Sequence, residues 1–208
     1  EEDERFILLI SPWMRDIPVS SSGFNAEGFR ELLGGYRGNL SRLSDVLIAM
    51  KTKLGFDIHV MVLDSAETVL PVSERTYTDE QKRMIEALVG NDKNNPTIDV
   101  WRHIGEHSKL YVFPTGAMIG SANLTNAGMF LNGEVMDEIS KHNNKELYKQ
   151  KVIIAKSKIA GAAPYFSDIK PEVRFTIPKS LLDEDDDGMD EDDSDTDDGD
   201  LNFYPSYP

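Results

Sequence analysis

The sequence predicts an α/β protein in which helices pack against a layered sheet. Short apolar runs alternate with segments of helical periodicity, which is the pattern of strand–helix–strand units. The chain has 208 residues, enough for one sizeable core and a polar extension. We expect a folded catalytic domain over residues 1–180 and an acidic tail over residues 181–208.

Apolar runs of four to six residues predict the strands. The run at residues 6–11 (FILLIS) is apolar without alternation, as expected for a strand buried on both faces. The other predicted strands are residues 58–63, 98–101, 109–113 and 117–120.

Three segments predict helices. Residues 39–54 place leucines, a valine and a methionine on one face at three- and four-residue spacing, and Gly55 follows where a helix C-cap is common. Thr78 and Gln81 have the form of a capping box that opens a helix ending near Val89. Residues 146–156 also suit a helix, although the run from Val152 to Ile154 is compatible with a strand.

The charge distribution separates the tail from the rest. The formal net charge is −15, but residues 183–200 hold 13 acidic residues and no basic ones. The remaining 24 acidic residues (37 less 13) face 22 basic residues, so the body carries about −2. No apolar run approaches the length of a membrane span, and the chain has no Cys. Its first residues, Glu-Glu-Asp-Glu, predict a trimmed N-terminus, and the expected location is the cytoplasm.

The residues that carry the chemistry lie between positions 107 and 134. His107 and Lys109 are two residues apart, so one strand would point both side chains the same way. Ser121 and Asn123 add a hydroxyl and an amide, and Glu134 adds a carboxylate. A nucleophilic imidazole, a fixed positive charge, neutral donors and an orienting carboxylate suit attack on a phosphodiester without a metal ion.

These residues form three spaced motifs: H-x-K at His107, G-S-x-N at Gly120, and N-x-E at Asn132. In this order and at these gaps they resemble the phospholipase D superfamily, most strongly over residues 98–137. The resemblance implies an α-β-α sandwich with a mixed sheet. It also implies a metal-independent phosphodiesterase with no cofactor, which works through a phosphohistidine intermediate.

The resemblance also implies how many chains make one site. In the family, one His attacks phosphorus and a second His protonates the leaving oxygen. This chain has one H-x-K motif, so we expect a homodimer with a shared site. Each subunit would contribute His107, Lys109, Ser121, Asn123 and Glu134, the last fixing the tautomer of the His. Small single-motif members are nucleases, which indicates an endonuclease that binds and cleaves DNA or RNA.

One position departs from the family pattern. The Asp usually found five residues after the Lys is Pro114 in this chain. Its absence argues against the lipase-like branches of the family more than against activity, and it leaves a degenerate member open. Two alternatives to the nuclease are kept. One is a lipid phosphodiesterase with phospholipase D activity. The other is a catalytically degenerate interaction module that uses its acidic tail.

Trp13, Arg15 and the other three histidines have different expected roles. Trp13 and Arg15 follow the first strand and are candidates for substrate binding. His59 lies in an apolar strand and is expected to be a hydrogen-bonded core residue. His103 and His107 are four residues apart, but the region is not predicted to be helical, so no metal site is expected. His142 is expected to be exposed.

The acidic tail ends in aromatic and proline residues, and its composition cannot form a packed core alone. It is expected to be disordered, or to dock through that final segment. A basic protein partner is one candidate. A nucleic-acid groove of the protein itself is another, since the carboxylates resemble the charge of a phosphate backbone. In that case the tail would restrain activity.

Overall fold

A mixed sheet of seven strands forms the centre of the computed structural model, which describes residues 5–19, 25–63, 75–103 and 107–166. The strands are β1 (Phe6–Ile10), β2 (Asp57–Leu63), β3 (Asp99–His103), β4 (Leu110–Phe113), β5 (Gly116–Gly120), β6 (Met136–Ser140) and β7 (Ala163–Pro164). Their spatial order is β6-β5-β4-β1-β2-β3-β7. Strands β1, β2 and β3 are parallel, and every other pairing is antiparallel.

Helices cover both faces of this sheet. Helices α2 (Leu43–Leu54) and α3 (Arg75–Val89) pack on one face, and α4 (Lys145–Ala160) packs on the other. The short helix α1 (Ala26–Leu32) packs beside α2. The predicted α/β class, with an α-β-α sandwich and a mixed sheet, is confirmed.

Strand β1 shows why the sandwich forms. Ile7 and Leu9 contribute to the core beneath α2 and α3, whereas Leu8 and Ile10 contribute to the core beneath α4. Each of these four side chains is nearly or fully buried. Burying a side chain of this size stabilises the fold by about 1.5–3 kcal/mol before the cost of ordering it. A strand covered on both faces therefore needs a continuous apolar run.

The boundaries of α2, α3 and α4 differ from prediction. Helix α2 begins at Leu43 rather than at residue 39, because the Asp45 carboxylate accepts hydrogen bonds from the backbone N–H groups of Ser41 and Arg42 and closes the first turn there. Its end is as predicted, since Gly55 adopts a left-handed conformation with φ of 70°.

The capping box predicted at Thr78 is wrong. Helix α3 already begins at Arg75, so Thr78 lies inside the helix and does not cap it. Helix α4 extends past the predicted residue 156 to Ala160, and the helical reading of Val152–Ile154 is the correct one. Tyr148, Val152 and Ile159 on α4 are buried against the sheet, whereas Ile154 is 42% exposed.

Four elements were not predicted: α1, β6, β7 and a π-helical turn at Ala127–Leu131. Strand β6 has the sequence MDEIS and is an edge strand in which only Ile139 is buried. A strand exposed to solvent along most of its length carries little apolar pattern. Its assignment depends on pairing with β5, which sequence periodicity does not report.

The acidic tail, residues 181–208, lies outside the described residues, and so does the domain boundary predicted at residue 180. Residues 20–24, which precede α1, also lie outside them. In the part of the chain that is described, no helix is long and apolar enough to cross a membrane.

Candidate active site

The sheet topology brings the predicted site residues to one edge. Ile10 at the end of β1 pairs with Leu110 at the start of β4, and Leu110 also pairs with Ile119 near the end of β5. Gly120 then pairs with Met136 at the start of β6. We call this end of the sheet, along the strand direction, the site edge. Strands β1, β2, β3 and β5 end there, and strands β4 and β6 begin there.

Each predicted residue lies just outside a strand at this edge. Trp13 and Arg15 follow β1, and His107 and Lys109 precede β4. The remaining three are Ser121 and Asn123 after β5, and Glu134 before β6. The site edge therefore gathers residues from four segments that are up to about 120 positions apart in the chain.

The prediction that one strand carries His107 and Lys109 is wrong, because β4 begins only at Leu110 and both residues precede it. The Lys109 ammonium (Nζ) donates a hydrogen bond to the backbone carbonyl of His107 at 2.9 Å. The imidazole of His107 is exposed. Among the described residues it makes no hydrogen bond. Lys109 thus braces the turn that carries His107, and the bond uses one of its three N–H donors.

Ser121 and Glu134 form the most connected part of the site. The Ser121 hydroxyl donates to Glu134 Oε2 at 2.5 Å and accepts from the backbone N–H of Val135 at 3.1 Å. Asn132 Nδ2 donates to Glu134 Oε1 at 3.4 Å. Both carboxylate oxygens are therefore occupied from within the motif. Neither bonds the His107 imidazole in the described chain, so the role predicted for Glu134 in fixing the His tautomer stays a prediction.

Gly120 is required by the close approach of β5 and β6. A Cβ at this position would collide with the backbone carbonyl oxygen of Val135 and would lie 2.9 Å from the Cα of Met136. Only a residue without a side chain lets β5 run this close to β6. The glycine of the G-S-x-N motif thus sets the distance across which Ser121 reaches Glu134.

Two buried hydroxyls hold the segment after β5 against β1 and β4. Ser11 Oγ donates to the Trp13 carbonyl at 2.8 Å and accepts from the Leu124 N–H at 3.1 Å. The Tyr111 hydroxyl donates to the Ala122 carbonyl at 2.7 Å. Burial of the ring raises the pKa of Tyr111 to about 12. Prediction from sequence missed both residues, and their one signal was a polar group within or directly after a buried strand.

A cavity of about 300 Å³ opens beside these residues. Its lining comes from the loop after β1, the segment after β5, the π-helical turn and the N-x-E motif: Trp13, Asn123, Thr125, Ala127, Gly128, Asn132 and Glu134. The side-chain carbonyl oxygen of Asn123 is buried and has no hydrogen-bond partner among the described residues. A buried polar atom without a partner is a favourable position for a ligand to bind.

Trp13 and Arg15 have different surroundings: Trp13 lines the cavity, whereas Arg15 is paired with an acidic side chain. Trp13 is half-buried and forms a wall of the cavity. The Arg15 guanidinium instead forms an ion pair with Glu80 on α3 at 2.7 Å. Binding of substrate phosphate by Arg15 would have to compete with this carboxylate, and it stays a prediction.

Pro114 lies far from the site edge. It occupies the turn between β4 and β5, where Phe113 pairs with Gly116. Five residues of extended chain separate it from Lys109, which corresponds to roughly 17 Å. Replacement of the usual Asp by Pro therefore takes no group away from the site edge.

The other histidines lie in three different places. His59 on β2 is buried, as expected: its Nε2 lies 3.0 Å from the Asp57 carboxylate and its Nδ1 accepts from the Trp101 indole N–H at 3.1 Å. The hydrogen bond from His59 lowers the pKa of Asp57 to about 2. His142 is exposed beyond the end of β6, and His103 ends β3 at the site edge. Among the described residues, no group of three His, Asp or Glu side chains is arranged to hold a metal ion.

No protein-family model and no curated protein matches the sequence. Solved structures do match the fold. Nuc from Salmonella typhimurium, a phospholipase D family member, superposes with a TM-score of 0.50 at 14% identity, over 80% of this chain and 85% of Nuc. NucT from Helicobacter pylori superposes with a TM-score of 0.44 at 10% identity, over 77% of this chain and 82% of NucT. The resemblance predicted from the H-x-K, G-S-x-N and N-x-E motifs is confirmed at the level of architecture: this chain has a phospholipase D-like fold.

Proposed function

We propose that this protein is a metal-independent phosphodiesterase of the phospholipase D superfamily, and that it cleaves nucleic acid. One observation carries the proposal. Three motifs that are separate in the sequence meet at one edge of the sheet. His107, whose imidazole is exposed, and the Lys109 ammonium lie at the same strand ends as Ser121, and the Gly120 N–H donates to the Lys109 carbonyl at 3.3 Å. These are the groups needed for nucleophilic attack on phosphorus and for balancing charge on its oxygens.

The mechanism needs two imidazoles. An imidazole nitrogen of one His107 attacks phosphorus, and the bond from phosphorus to the leaving oxygen breaks as a second imidazole donates its proton to that oxygen. The second imidazole then takes a proton from water, whose oxygen attacks phosphorus and breaks the phosphorus–nitrogen bond. Neutral and protonated imidazole are both accessible near neutral pH.

The source of the second imidazole decides the oligomeric state. The chain has four histidines. His59 is buried near the opposite edge of the sheet, and His142 lies beyond that edge. This leaves His103 of the same chain or His107 of a partner subunit. We favour the partner, since the second copy of His107 brings its own Lys109.

An exposed apolar patch beside the site supports the dimer. Phe130, Leu131 and Val135 are 46%, 73% and 69% exposed. Phe130 and Leu131 belong to the π-helical turn and Val135 follows Glu134, so a two-fold axis through these residues would bring two site edges together. Clustered apolar side chains at this exposure are typical of surfaces that are covered in an assembly.

The experiment is cleavage of single-stranded DNA and RNA in EDTA. We expect wild-type turnover to persist with chelator and His107→Ala to lose at least about a thousandfold, as for removal of a nucleophile. Lys109→Ala should be severely impaired and Glu134→Gln less so. His142→Ala is the matched control, an exposed histidine at the opposite edge, and should match the wild type. Wild-type turnover by His107→Ala, or chelator-sensitive activity restored by Mg²⁺, would contradict the mechanism.

The dimer is tested by Leu131→Asp, which places a carboxylate in the apolar patch. We expect light scattering to show a dimer for the wild type and a monomer for the variant, with loss of turnover in the monomer. A monomeric Leu131→Asp that cleaves at the wild-type rate would refute the shared site. His103→Ala would then be the variant that identifies the second imidazole.

The sequence left two other functions open: a catalytically degenerate interaction module and a lipid phosphodiesterase. The degenerate-module reading depended on Pro114, which lies away from the site edge. Phospholipase activity is tested in the same assay by replacing nucleic acid with phosphatidylcholine vesicles. Restraint of activity by the acidic tail, and its docking on a basic partner, stay predictions that deletion of residues 181–208 would test at low salt.

A further inference from the structure

We infer that the cavity walled by Trp13 binds an unpaired nucleobase next to the scissile phosphate, so that the substrate is single-stranded nucleic acid. The inference rests on the proposed nuclease function and specifies which form of nucleic acid the same site accepts. It follows from the chemistry of the lining, the rigidity of the Trp13 wall, and the size and position of the cavity.

The lining suits a neutral polar group better than a phosphate. None of the described residues around the cavity carries a positive charge, and one, Glu134, carries a negative charge. A phosphate would therefore be repelled from this cavity and attracted to Lys109 beside it. The remaining polar groups, from Asn123, Thr125 and Asn132, are uncharged donors and acceptors of the kind that bind the edges of bases.

The indole of Trp13 supplies the stacking surface, and the backbone around it is held firmly. Met14 forms a parallel bridge with Leu124, and the backbone N–H of Arg15 donates to the Leu124 carbonyl at 2.9 Å. The Ser11 hydroxyl joins the same two segments. The loop that carries the indole is thus fixed relative to Asn123 before any ligand arrives, which lowers the entropy cost of binding.

Asn123 provides the hydrogen-bonding group. Its side-chain oxygen is buried and lacks a partner among the described residues. Gly128 lets the π-helical turn approach the backbone of Asn123 closely, since a Cβ there would collide with the backbone carbonyl oxygen of Asn123. An N–H on the edge of a base would satisfy the amide at little cost, because its desolvation has already occurred on folding.

The volume and position of the cavity favour single-stranded nucleic acid over a duplex. At about 300 Å³ the cavity lies at the lower end of the range for ligand pockets, enough for one planar heterocycle. A base within a duplex is stacked and paired and cannot enter a side cavity unless it is extruded. Because Glu134 belongs both to the cavity lining and to the Ser121 network, the bound base would lie next to the reacting phosphate.

A quaternary ammonium headgroup is the competing ligand, because an indole and a carboxylate can bind a cation. The described lining has one aromatic wall, whereas cages for such cations are built from several. Both oxygens of the carboxylate are already hydrogen-bonded to Ser121 and Asn132. The lining therefore favours a base over a lipid headgroup.

The experiment measures binding of two single strands of equal length and charge by fluorescence anisotropy, in the His107→Ala background to prevent cleavage. One strand carries bases and the other carries abasic sites throughout. Base stacking on an aromatic side chain is worth about 1–3 kcal/mol per base, or roughly 5- to 150-fold in Kd. We expect the base-bearing strand to bind at least about fivefold more tightly than the abasic strand.

Substitution of Trp13 should remove this preference. Trp13→Ala is expected to bring the ratio of the two Kd values close to one, and Trp13→Leu, which keeps apolar volume without an aromatic face, should do the same. Tyr36→Ala is the control, since Tyr36 is an aromatic residue between α1 and α2 that does not line the cavity. It should keep the wild-type ratio.

Three results would overturn the inference. The first is equal binding of the two strands, with wild-type cleavage of both in EDTA; this would refute the base site while leaving the nuclease function standing. The second is an unchanged ratio in both Trp13 variants. The third is displacement of neither strand by nucleosides but of both by phosphocholine. If neither strand is bound or cleaved, the nuclease function itself fails, and the inference with it.

Discussion

Ser11→Ala tests whether one buried hydroxyl holds the two sides of the candidate site together. Ser11 is fully buried, and its Oγ joins the Trp13 carbonyl to the Leu124 N–H. Alanine removes both bonds, since its side chain has no donor or acceptor. Each buried group that loses its partner costs about 1–3 kcal/mol. We therefore expect the free energy of unfolding to fall by about 2–4 kcal/mol, which for a chain of this size lowers Tm by roughly 5–15 °C.

The assay is thermal unfolding by circular dichroism, with urea unfolding to obtain the free energy directly. Ser140→Ala is the matched control, since Ser140 lies at the opposite edge and its hydroxyl accepts one long bond, 3.4 Å from the Asn143 N–H. The control should change the free energy of unfolding by less than about 0.5 kcal/mol. A Tm for Ser11→Ala within about 1 °C of the wild type would refute the account of how the segment is anchored.

Two further predictions concern the same edge of the sheet. Gly120→Ala should lower the free energy of unfolding by about 1–3 kcal/mol, because the added methyl collides with the backbone of β6, whereas Gly133→Ala, with open space at its Cβ, should be nearly neutral in urea unfolding. Tyr111 should make the protein less stable at alkaline pH. Its pKa is about 12 when folded and about 10 when unfolded, so the unfolded chain loses the proton first and stability falls by about 2–3 kcal/mol between pH 10 and 12. Tyr111→Phe should remove that part of the alkaline decline; an identical decline in urea titrations of both proteins would show that Tyr111 does not cause it.

The sequence predicted the elements whose burial is strong. Strands β1 and β2 are covered on both faces, so their apolar runs are continuous and their bounds were predicted to within one residue. The end of α2 was predicted because a left-handed Gly55 is a local requirement of the backbone. In contrast, the start of α2 depends on which side chain accepts hydrogen bonds from the backbone N–H groups before the first turn. In the structure this side chain is Asp45, and the sequence offers several other polar residues nearby.

The site residues in the motifs could be predicted from the sequence, whereas the buried residues that hold them in position could not. H-x-K, G-S-x-N and N-x-E are local patterns, so the sequence alone was enough to predict His107, Lys109, Ser121, Asn123 and Glu134 as candidate site residues. It did not reveal Ser11 or Tyr111, because a single buried hydroxyl has no periodicity. Ser11 acts through Leu124, which is 113 positions away.

The sequence by itself therefore determined the fold class, five of the seven strands of the central sheet and the residue types available for chemistry, because all of these depend on neighbours within a few positions. Only the tertiary structure decided which of those residues meet. The antiparallel pairing of β4 with β1 places the H-x-K motif beside the loop that carries Trp13, and the pairing of β5 with β6 places Ser121 against Glu134. The pairing of β4 with β5 leaves Pro114 at the far edge, and the position of α3 brings Glu80 to Arg15. Strand order and register are set by packing across the whole sheet, and no local pattern in the chain encodes them.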